Sequence, residues 1–232
     1  DAVTPQLDYY KNGTINEFDY MYIYKNAFLH LDNQSISGIN TILGPNNPWN
    51  LLPSDKATVF VSNHDTERKV PKNQTRIDSL NVYDGPNYLL SNVIMLAMPY
   101  GYPQIMSGYY FRVNGDLLSN ASHDQGPAGA APYIGNETIP ANCSSNINDT
   151  GKWDCMHRSP YVGNMVGFRN ITNGAPVTNW QAEGNDRISF QRQGKGFVAV
   201  NHTGNSWSIS FATGLPAGQY CNVVKGELSN NG

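Results

Sequence analysis

The sequence feature that most constrains the fold is an apolar run that ends in a cluster of polar and ionisable residues. Residues 57–61 read Ala-Thr-Val-Phe-Val, and the tetrad Asn63-His64-Asp65-Thr66 follows almost at once. A strand that is apolar on both faces is typical of a buried parallel sheet. In a (β/α)8 barrel, such strands carry functional side chains at their carboxyl ends. The pattern therefore predicts a buried strand that delivers His64 and Asp65 to an active-site mouth.

The orientation of these two ionisable residues depends on where the strand ends. Adjacent residues of an extended strand point to opposite sides, so His64 and Asp65 line one cleft only if the strand stops at the tetrad. A structural role is the alternative, in which the tetrad caps the strand and Asp65 bonds to local backbone groups. The tetrad alone leaves both interpretations open.

Residues 14–169 show the alternation of strands and helices that is typical of βαβ units. Strands are predicted at 14–20, 57–64 and 104–109, and helices at 21–31, 84–97 and 161–169. The second helix is expected to begin with Asp84 as its N-cap and to carry Pro86 in its first turn. Residues 40–53 and 112–155 are rich in Asn and Gly, which predicts loops.

The pattern changes after Gly174. Short segments with period-two alternation are separated there by turns that contain Gly or Asn. These segments are Val177–Trp180, Arg187–Arg192, Phe197–Asn201, Trp207–Phe211 and Gln219–Val224. Such a meander predicts a second, antiparallel all-β domain. We therefore divide the chain into residues 1–173 and residues 174–232.

Residues 60–68, Phe-Val-Ser-Asn-His-Asp-Thr-Glu-Arg, resemble the seventh-strand signature of the α-amylase family of glycoside hydrolases, in its animal-type secreted branch. Five further stretches match the family in the same order: Asn12-Gly13 with Asn16-Glu17-Phe18, Met98–Gly101, Trp153–Arg158, Asn164–Asn170 and Thr213–Cys221. The resemblance implies an α/β fold, the C-terminal part of a (β/α)8 TIM barrel. Strands six to eight of that barrel would be followed by the first part of an antiparallel β-sandwich domain.

The resemblance implies a retaining α-amylase that hydrolyses internal α-1,4 bonds of starch and glycogen. Retaining hydrolysis needs a nucleophile and an acid/base carboxyl group, and the family adds a third carboxylate. In this chain Asp65 corresponds to the third carboxylate, and His64 to a residue that hydrogen-bonds sugar hydroxyls. The nucleophile and the acid/base belong to barrel strands four and five, upstream of Asp1. The chain by itself is therefore expected to be inactive.

The resemblance also bears on two inorganic ions. Calcium is expected for the full-length family member, with ligands outside this chain, so no metal ligand is assigned here. Animal-type members often hold a chloride ion with two Arg and one Asn. Asn63 matches the Asn, whereas Gln104 stands where the eighth-strand Arg would be. Because Gln brings no positive charge, chloride is expected to bind weakly and not to be required.

The chain contains three cysteines. Cys143 and Cys155 enclose a polar loop, which makes a surface disulfide plausible in an oxidising compartment. The resemblance implies that this pair is bridged, and it places the partner of Cys221 beyond Gly232. A metal site is the alternative for the cysteines, but no close Cys/His spacing supports it.

Sequons and charge indicate where the protein works and which partners it takes. Nine Asn-x-Ser/Thr sequons favour a secreted glycoprotein, although enrichment in Asn, Ser and Thr is the simpler alternative. The net charge of −3 provides no basic surface for nucleic acid, and no apolar run suits a membrane span. A starch-type polysaccharide is the expected partner, and the full-length protein is expected to be a monomer.

Two other functions fit the same sequence. The first is a non-catalytic relative of this fold that serves as a binding or scaffold protein. The second is an α-glucosidase, which the Cys143–Cys155 loop and the Thr213–Cys221 stretch disfavour. An Asp and a Glu at the ends of the preceding strands would distinguish the enzyme from the scaffold.

Overall fold

The computed structural model describes residues 9–45, 47–67, 79–110, 133–134, 137–138, 140–144, 146 and 152–226. The helices are α1 (Asp19–Leu29), α2 (Ile39–Ile42), α3 (Pro86–Ala97) and α4 (Pro160–Ile171). The strands are β1 (Ile15–Asn16), β2 (Ala57–Val59), β3 (Tyr102–Pro103), β4 (Tyr133–Ile134), β5 (Glu137–Thr138), β6 (Val177–Glu183), β7 (Arg187–Arg192) and β8 (Gly196–Asn201). Short 3-10 turns at Tyr9–Lys11, Leu31–Asn33, Ile36–Gly38, Val82–Asp84 and Met156–Arg158 connect them.

The first three strands form a parallel sheet in the order β1-β2-β3, as the βαβ spacing predicts. Strand β2 lies in the middle and is buried along its whole length, because its apolar side chains face packed layers on both sides. Thr58 pairs with Tyr102 and Val59 pairs with Pro103 across to β3. All three strands therefore point their carboxyl ends to the same edge of the sheet, and the tetrad follows the central one.

Helices α1 and α3 cover this sheet. Helix α1 buries an aromatic and aliphatic face that includes Tyr20, Ile23 and Tyr24, whereas α3 is buried over most of its length. Pro86 occupies the first turn of α3 as predicted. The predicted N-cap is wrong: Gly85 holds that position, and Asp84 instead closes a capping box with Asn81 around the preceding 3-10 turn. The sequence does not distinguish the two arrangements, because Asp84 suits both the N-cap of α3 and the capping box of the preceding 3-10 turn.

Strand β3 lies earlier than predicted, at Tyr102–Pro103 rather than at 104–109. The chain can turn this early because Gly101 adopts a left-handed φ of 67° and lies directly on Val59. A Cβ at position 101 would approach Val59 Cγ1 to 2.6 Å, so only glycine fits the turn. The next backbone amide, that of Gln104, still donates to the Val59 carbonyl at 2.8 Å.

The C-terminal strands β6, β7 and β8 form an antiparallel sheet, which confirms the predicted change of architecture. The two later predicted strands, Trp207–Phe211 and Gln219–Val224, are wrong because neither segment is assigned as a strand. Trp207 and Phe211 do pack, edge to face and at 4.9 Å between ring centroids. The aromatic side chains therefore contact each other here without the backbone ladder that defines a strand.

The barrel part and the antiparallel sheet share one apolar core. Ile188, Phe190 and Val200 of the antiparallel sheet belong to the same buried cluster as the side chains of α1 and α3. Phe190 also stacks on Trp180, whose indole N–H donates to the Ser37 carbonyl at 3.1 Å. The two parts are thus packed together, and the division between residues 173 and 174 stays a prediction.

A disulfide joins Cys143 and Cys155, as predicted, and the third cysteine, Cys221, is free and exposed. The loop prediction for 112–155 falls largely outside the described residues. Within the described part of the chain, no helix has the length and apolar character needed to cross a membrane.

Candidate functional site

The tetrad forms a tight turn at the carboxyl end of β2, and Asn63 organises it. The Asn63 side-chain oxygen accepts hydrogen bonds from the backbone amides of Asp65 at 3.0 Å and Thr66 at 3.1 Å. The Asn63 carbonyl shares the same Thr66 amide at 3.1 Å and accepts one further amide, that of Glu67, at 2.9 Å. Asparagine suits this position because its short side chain can replace a backbone acceptor in a turn.

His64 and Asp65 project from this turn into solvent. Their side chains are 81% and 58% exposed, and His64 Nε2 lies 3.2 Å from an Asp65 carboxylate oxygen. Adjacent side chains point to opposite sides only in an extended strand, and the strand predicted at 57–64 already ends at Val59, so the chain is turning at the tetrad. The turn therefore brings the two predicted site residues together on one surface.

The turn shows which side chain caps the end of the strand. Asn63, rather than Asp65, supplies the side chain that bonds local backbone groups. The Asp65 carboxylate is left facing outward, with the His64 imidazole beside it. An exposed carboxylate on a rigid turn can accept hydrogen bonds from sugar hydroxyls and can stabilise a positive charge that develops nearby.

The turn is anchored from below by residues that the sequence alone did not identify. The Asn81 side-chain amide donates to the Thr66 carbonyl at 3.0 Å, and the Thr66 hydroxyl lies 3.2 Å from that of Ser62. Thr66, Glu67 and Asn81 are all buried. Only the spacing of Asn81 and Asp84, which suits a capping box, could have drawn attention to Asn81.

The two residues of the predicted chloride remnant follow neighbouring strands. Asn63 is half-buried at the end of β2, and Gln104 is exposed directly after β3. Both side chains are described, and no hydrogen bond joins them. The assignment of an anion-binding role to this pair remains a prediction.

Other polar and aromatic residues near the sheet have structural roles. Glu17 is buried, and its carboxylate accepts hydrogen bonds from the Leu52 amide at 2.8 Å and the Asp19 amide at 3.3 Å. Burial raises the pKa of the Glu17 carboxyl group. Tyr100 is buried against Tyr20 and donates to the Leu52 carbonyl at 2.7 Å, so its ring does not present a face for stacking on sugar.

Comparisons with known proteins agree with this architecture. Residues 177–232 match the family model described as the α-amylase C-terminal all-beta domain. Over 96% of its length, the chain is 36% identical to an α-amylase of Streptomyces violaceus, of which it covers 33%. It is also 33% identical, over 96% of its length, to the pancreatic α-amylase of Homo sapiens, of which it covers 42%.

Solved structures show the same relationship. The structure of wild-type α-amylase I from the earthworm Eisenia fetida superposes with a TM-score of 0.77 and 27% identity, over 97% of this chain and 44% of that chain. A variant of that enzyme in complex with maltohexaose superposes with a TM-score of 0.76 over 94% of this chain. The resemblance to the α-amylase family is thus confirmed, in sequence and in fold. The chain spans between a third and about two fifths of the length of the curated relatives named above.

Proposed function

We propose that the protein carrying this chain is an α-amylase that cleaves internal α-1,4 bonds of starch-type polysaccharides with retention of configuration. The supporting observation is the position of Asp65, which is exposed beside His64 at the carboxyl end of the central parallel strand. The chain is similar to α-amylases along nearly its whole length, which supports a role for this carboxylate in glycoside hydrolysis. The earthworm relative was solved with maltohexaose, a linear glucan, which fits the proposed substrate class.

In this mechanism Asp65 assists the reaction without forming a covalent bond. The transition state of glycoside hydrolysis carries positive charge on the sugar ring, so a fixed carboxylate nearby binds it more tightly than it binds the neutral substrate. His64 would donate a hydrogen bond to a sugar hydroxyl in the same subsite. The Asn63 turn holds both side chains in place before substrate arrives, which avoids an entropic cost at the moment of reaction. The nucleophile and the acid/base are assigned to preceding strands.

The proposal is tested by Asp65→Asn in the intact protein. Loss of the carboxylate charge should reduce turnover of starch by about 10³-fold or more, with the melting temperature unchanged, because Asp65 makes no buried contact. Asp55→Asn is a matched control, since Asp55 is an exposed aspartate that precedes the same strand at its opposite end. The control should retain full turnover. Near-normal turnover of Asp65→Asn would contradict the assignment.

The same experiment separates the proposed enzyme from a non-catalytic scaffold. A scaffold would show no turnover of starch before any substitution, and Asp65→Asn would then alter glucan binding at most. Secretion, a monomeric state and a calcium ion held by residues outside this chain belong to the proposal, as does catalysis without chloride.

A further inference from the structure

Three metal-ligating side chains from distant parts of the sequence meet where the barrel part contacts the antiparallel sheet. His30 ends α1, Asp186 lies in the turn between β6 and β7, and His202 directly follows β8. His30 Nε2 lies 3.2 Å from one Asp186 carboxylate oxygen, and His202 Nδ1 lies 3.0 Å from the other. One ligand atom from each residue can be chosen so that all three lie within 4.8 Å of one another.

The donor set suits a transition-metal cation of the zinc type. Two imidazole nitrogens and one carboxylate oxygen are typical zinc ligands, at bond lengths of about 2.0–2.2 Å. Tetrahedral coordination with such bonds separates neighbouring ligand atoms by about 3.3 Å. The contacts of 3.2 Å and 3.0 Å go to the two different oxygens of Asp186, and the three ligand atoms lie within 4.8 Å of one another, so a small approach of these side chains would bring them to the separation that a bound cation requires. Solvent reaches His30, which is 43% exposed, so a cation can enter and water can complete its coordination.

A fourth residue orients one of the ligands. The Asn87 side-chain oxygen lies 2.9 Å from His202 Nε2, within hydrogen-bond distance. When His202 binds a cation through Nδ1, Nε2 carries the ring proton and can donate it to this oxygen. A carbonyl oxygen that accepts the second ring N–H is the usual support for a metal-bound histidine.

The backbone holds the three ligands in position without a metal. The His202 amide donates to the Asp186 carbonyl at 2.9 Å, and the Ser37 amide donates to the Asn185 carbonyl at 3.0 Å, which ties the β6–β7 turn to the barrel part. His30 adopts a left-handed conformation with φ of 53°, which is uncommon for a residue with a Cβ. A preformed arrangement of this kind lowers the entropic cost of ligand binding.

We propose that His30, Asp186 and His202 form a binding site for a divalent transition-metal cation such as Zn²⁺, which clamps the end of α1 to the antiparallel sheet. Sequence spacing could not indicate this site, because its ligands are separated by 156 and 16 positions along the chain. The site is far in sequence from the tetrad, and the proposal does not depend on the proposed hydrolase activity.

The test uses the intact protein after dialysis against a chelator. Zn²⁺ at about 100 times its dissociation constant should raise the melting temperature by about 2–3 °C for a protein of the length of the human relative. His30→Gln should abolish this rise while leaving the metal-free protein folded, since the His30 side chain is partly exposed. His157→Gln is the matched control, because His157 is an exposed histidine outside the cluster. Asn87→Ala should weaken Zn²⁺ binding about 10- to 100-fold, as expected for a residue that orients a ligand.

Direct binding measurements decide the outcome. Calorimetric titration should show one fewer Zn²⁺ site in His30→Gln than in the parent, and His157→Gln should match the parent. In the parent, bound Co²⁺ should give the absorption bands expected of a site with two histidine ligands. Equal stoichiometry and equal melting temperatures in the parent and in His30→Gln would overturn the proposal.

Discussion

Arg192 offers the sharpest test of what holds the barrel part to the antiparallel sheet. Its side chain is only 1% exposed, and among the described residues no carboxylate pairs with it. Its three nitrogens instead donate to carbonyl oxygens: Nε to Ala175 at 2.9 Å, Nη1 to Ala97 at 2.7 Å and Nη2 to Thr172 at 2.9 Å. Ala97 is the last residue of α3 and Thr172 caps α4, so one cation binds the negative ends of two helix dipoles.

Replacement of Arg192 by methionine keeps most of the side-chain volume and removes the donors. Two buried carbonyls, those of Ala97 and Ala175, would then lack partners, at about 1–3 kcal/mol each, whereas the Thr172 carbonyl keeps its hydrogen bond from the Ala175 amide at 3.0 Å. Part of this loss is offset, because burial and the nearby Arg169 lower the pKa of Arg192 to about 10. That shift corresponds to about 3 kcal/mol of unfavourable free energy, which disappears with the charge. We expect Arg192→Met to lower the free energy of unfolding by about 1 kcal/mol.

Urea unfolding of the intact protein measures this change by linear extrapolation. Lys195→Met is the control, because Lys195 is an exposed cation on the same hairpin that donates to a single carbonyl, that of Asn173. It should cost about 0.5 kcal/mol or less. Arg192→Lys should fall between the two, since one ammonium cannot reach three carbonyls. Equal stabilities of Arg192→Met and Lys195→Met would refute the reasoning, because the cost of burying the charge would then cancel the carbonyl bonds.

Two further predictions concern pH and chloride. Burial raises the pKa of the Asp154 carboxyl group from 3.8 to about 6, and one of its oxygens has no hydrogen-bond partner among the described residues. The stabilising contribution of the protonated carboxyl group is therefore complete below about pH 4 and lost as the pH rises through 6. The free energy of unfolding of Asp154→Asn, measured by urea unfolding, should equal that of the parent at pH 4 and exceed it by up to about 3 kcal/mol at pH 7. The intact protein should keep most of its activity on starch when chloride is replaced by a non-binding anion, because Gln104 carries no charge, and Gln104→Arg should introduce chloride dependence. A chloride-activated parent would contradict this.

The sequence predicts those parts of the fold in which side-chain periodicity and backbone pairing coincide. The apolar face of α3 and the uninterrupted apolar run of β2 each indicate the correct element, because burial against a sheet requires those patterns. The pattern fails at Trp207–Phe211, where aromatic packing is present without strand pairing. It fails again at β3, whose position depends on the close approach of Gly101 to Val59, a tertiary contact that no local pattern encodes.

The candidate site shows the same division. The position of the tetrad after a buried strand marked it as a candidate, and the role predicted for it came from the resemblance to the α-amylase family. The turn that brings His64 next to Asp65 could not, because it depends on how the Asn63 side chain distributes its hydrogen bonds. The cluster of His30, Asp186 and His202 also could not be predicted from the sequence, because its members come together only when the antiparallel sheet packs on the barrel part.

Helix α3 lies between the antiparallel sheet and the turn that contains the tetrad, and it is joined to both by hydrogen bonds. At its N-terminal end, Asn87 contacts His202, and at its C-terminal end, the Ala97 carbonyl accepts from Arg192. Both partners belong to the antiparallel sheet or its adjoining turn, so the sheet fixes the helix along its axis. The 3-10 turn that leads into α3 begins after Asn81, whose side chain holds the Thr66 carbonyl. A continuous set of contacts therefore connects the antiparallel sheet through α3 to the turn that carries Asp65, although the sheet itself contributes no residue to the tetrad.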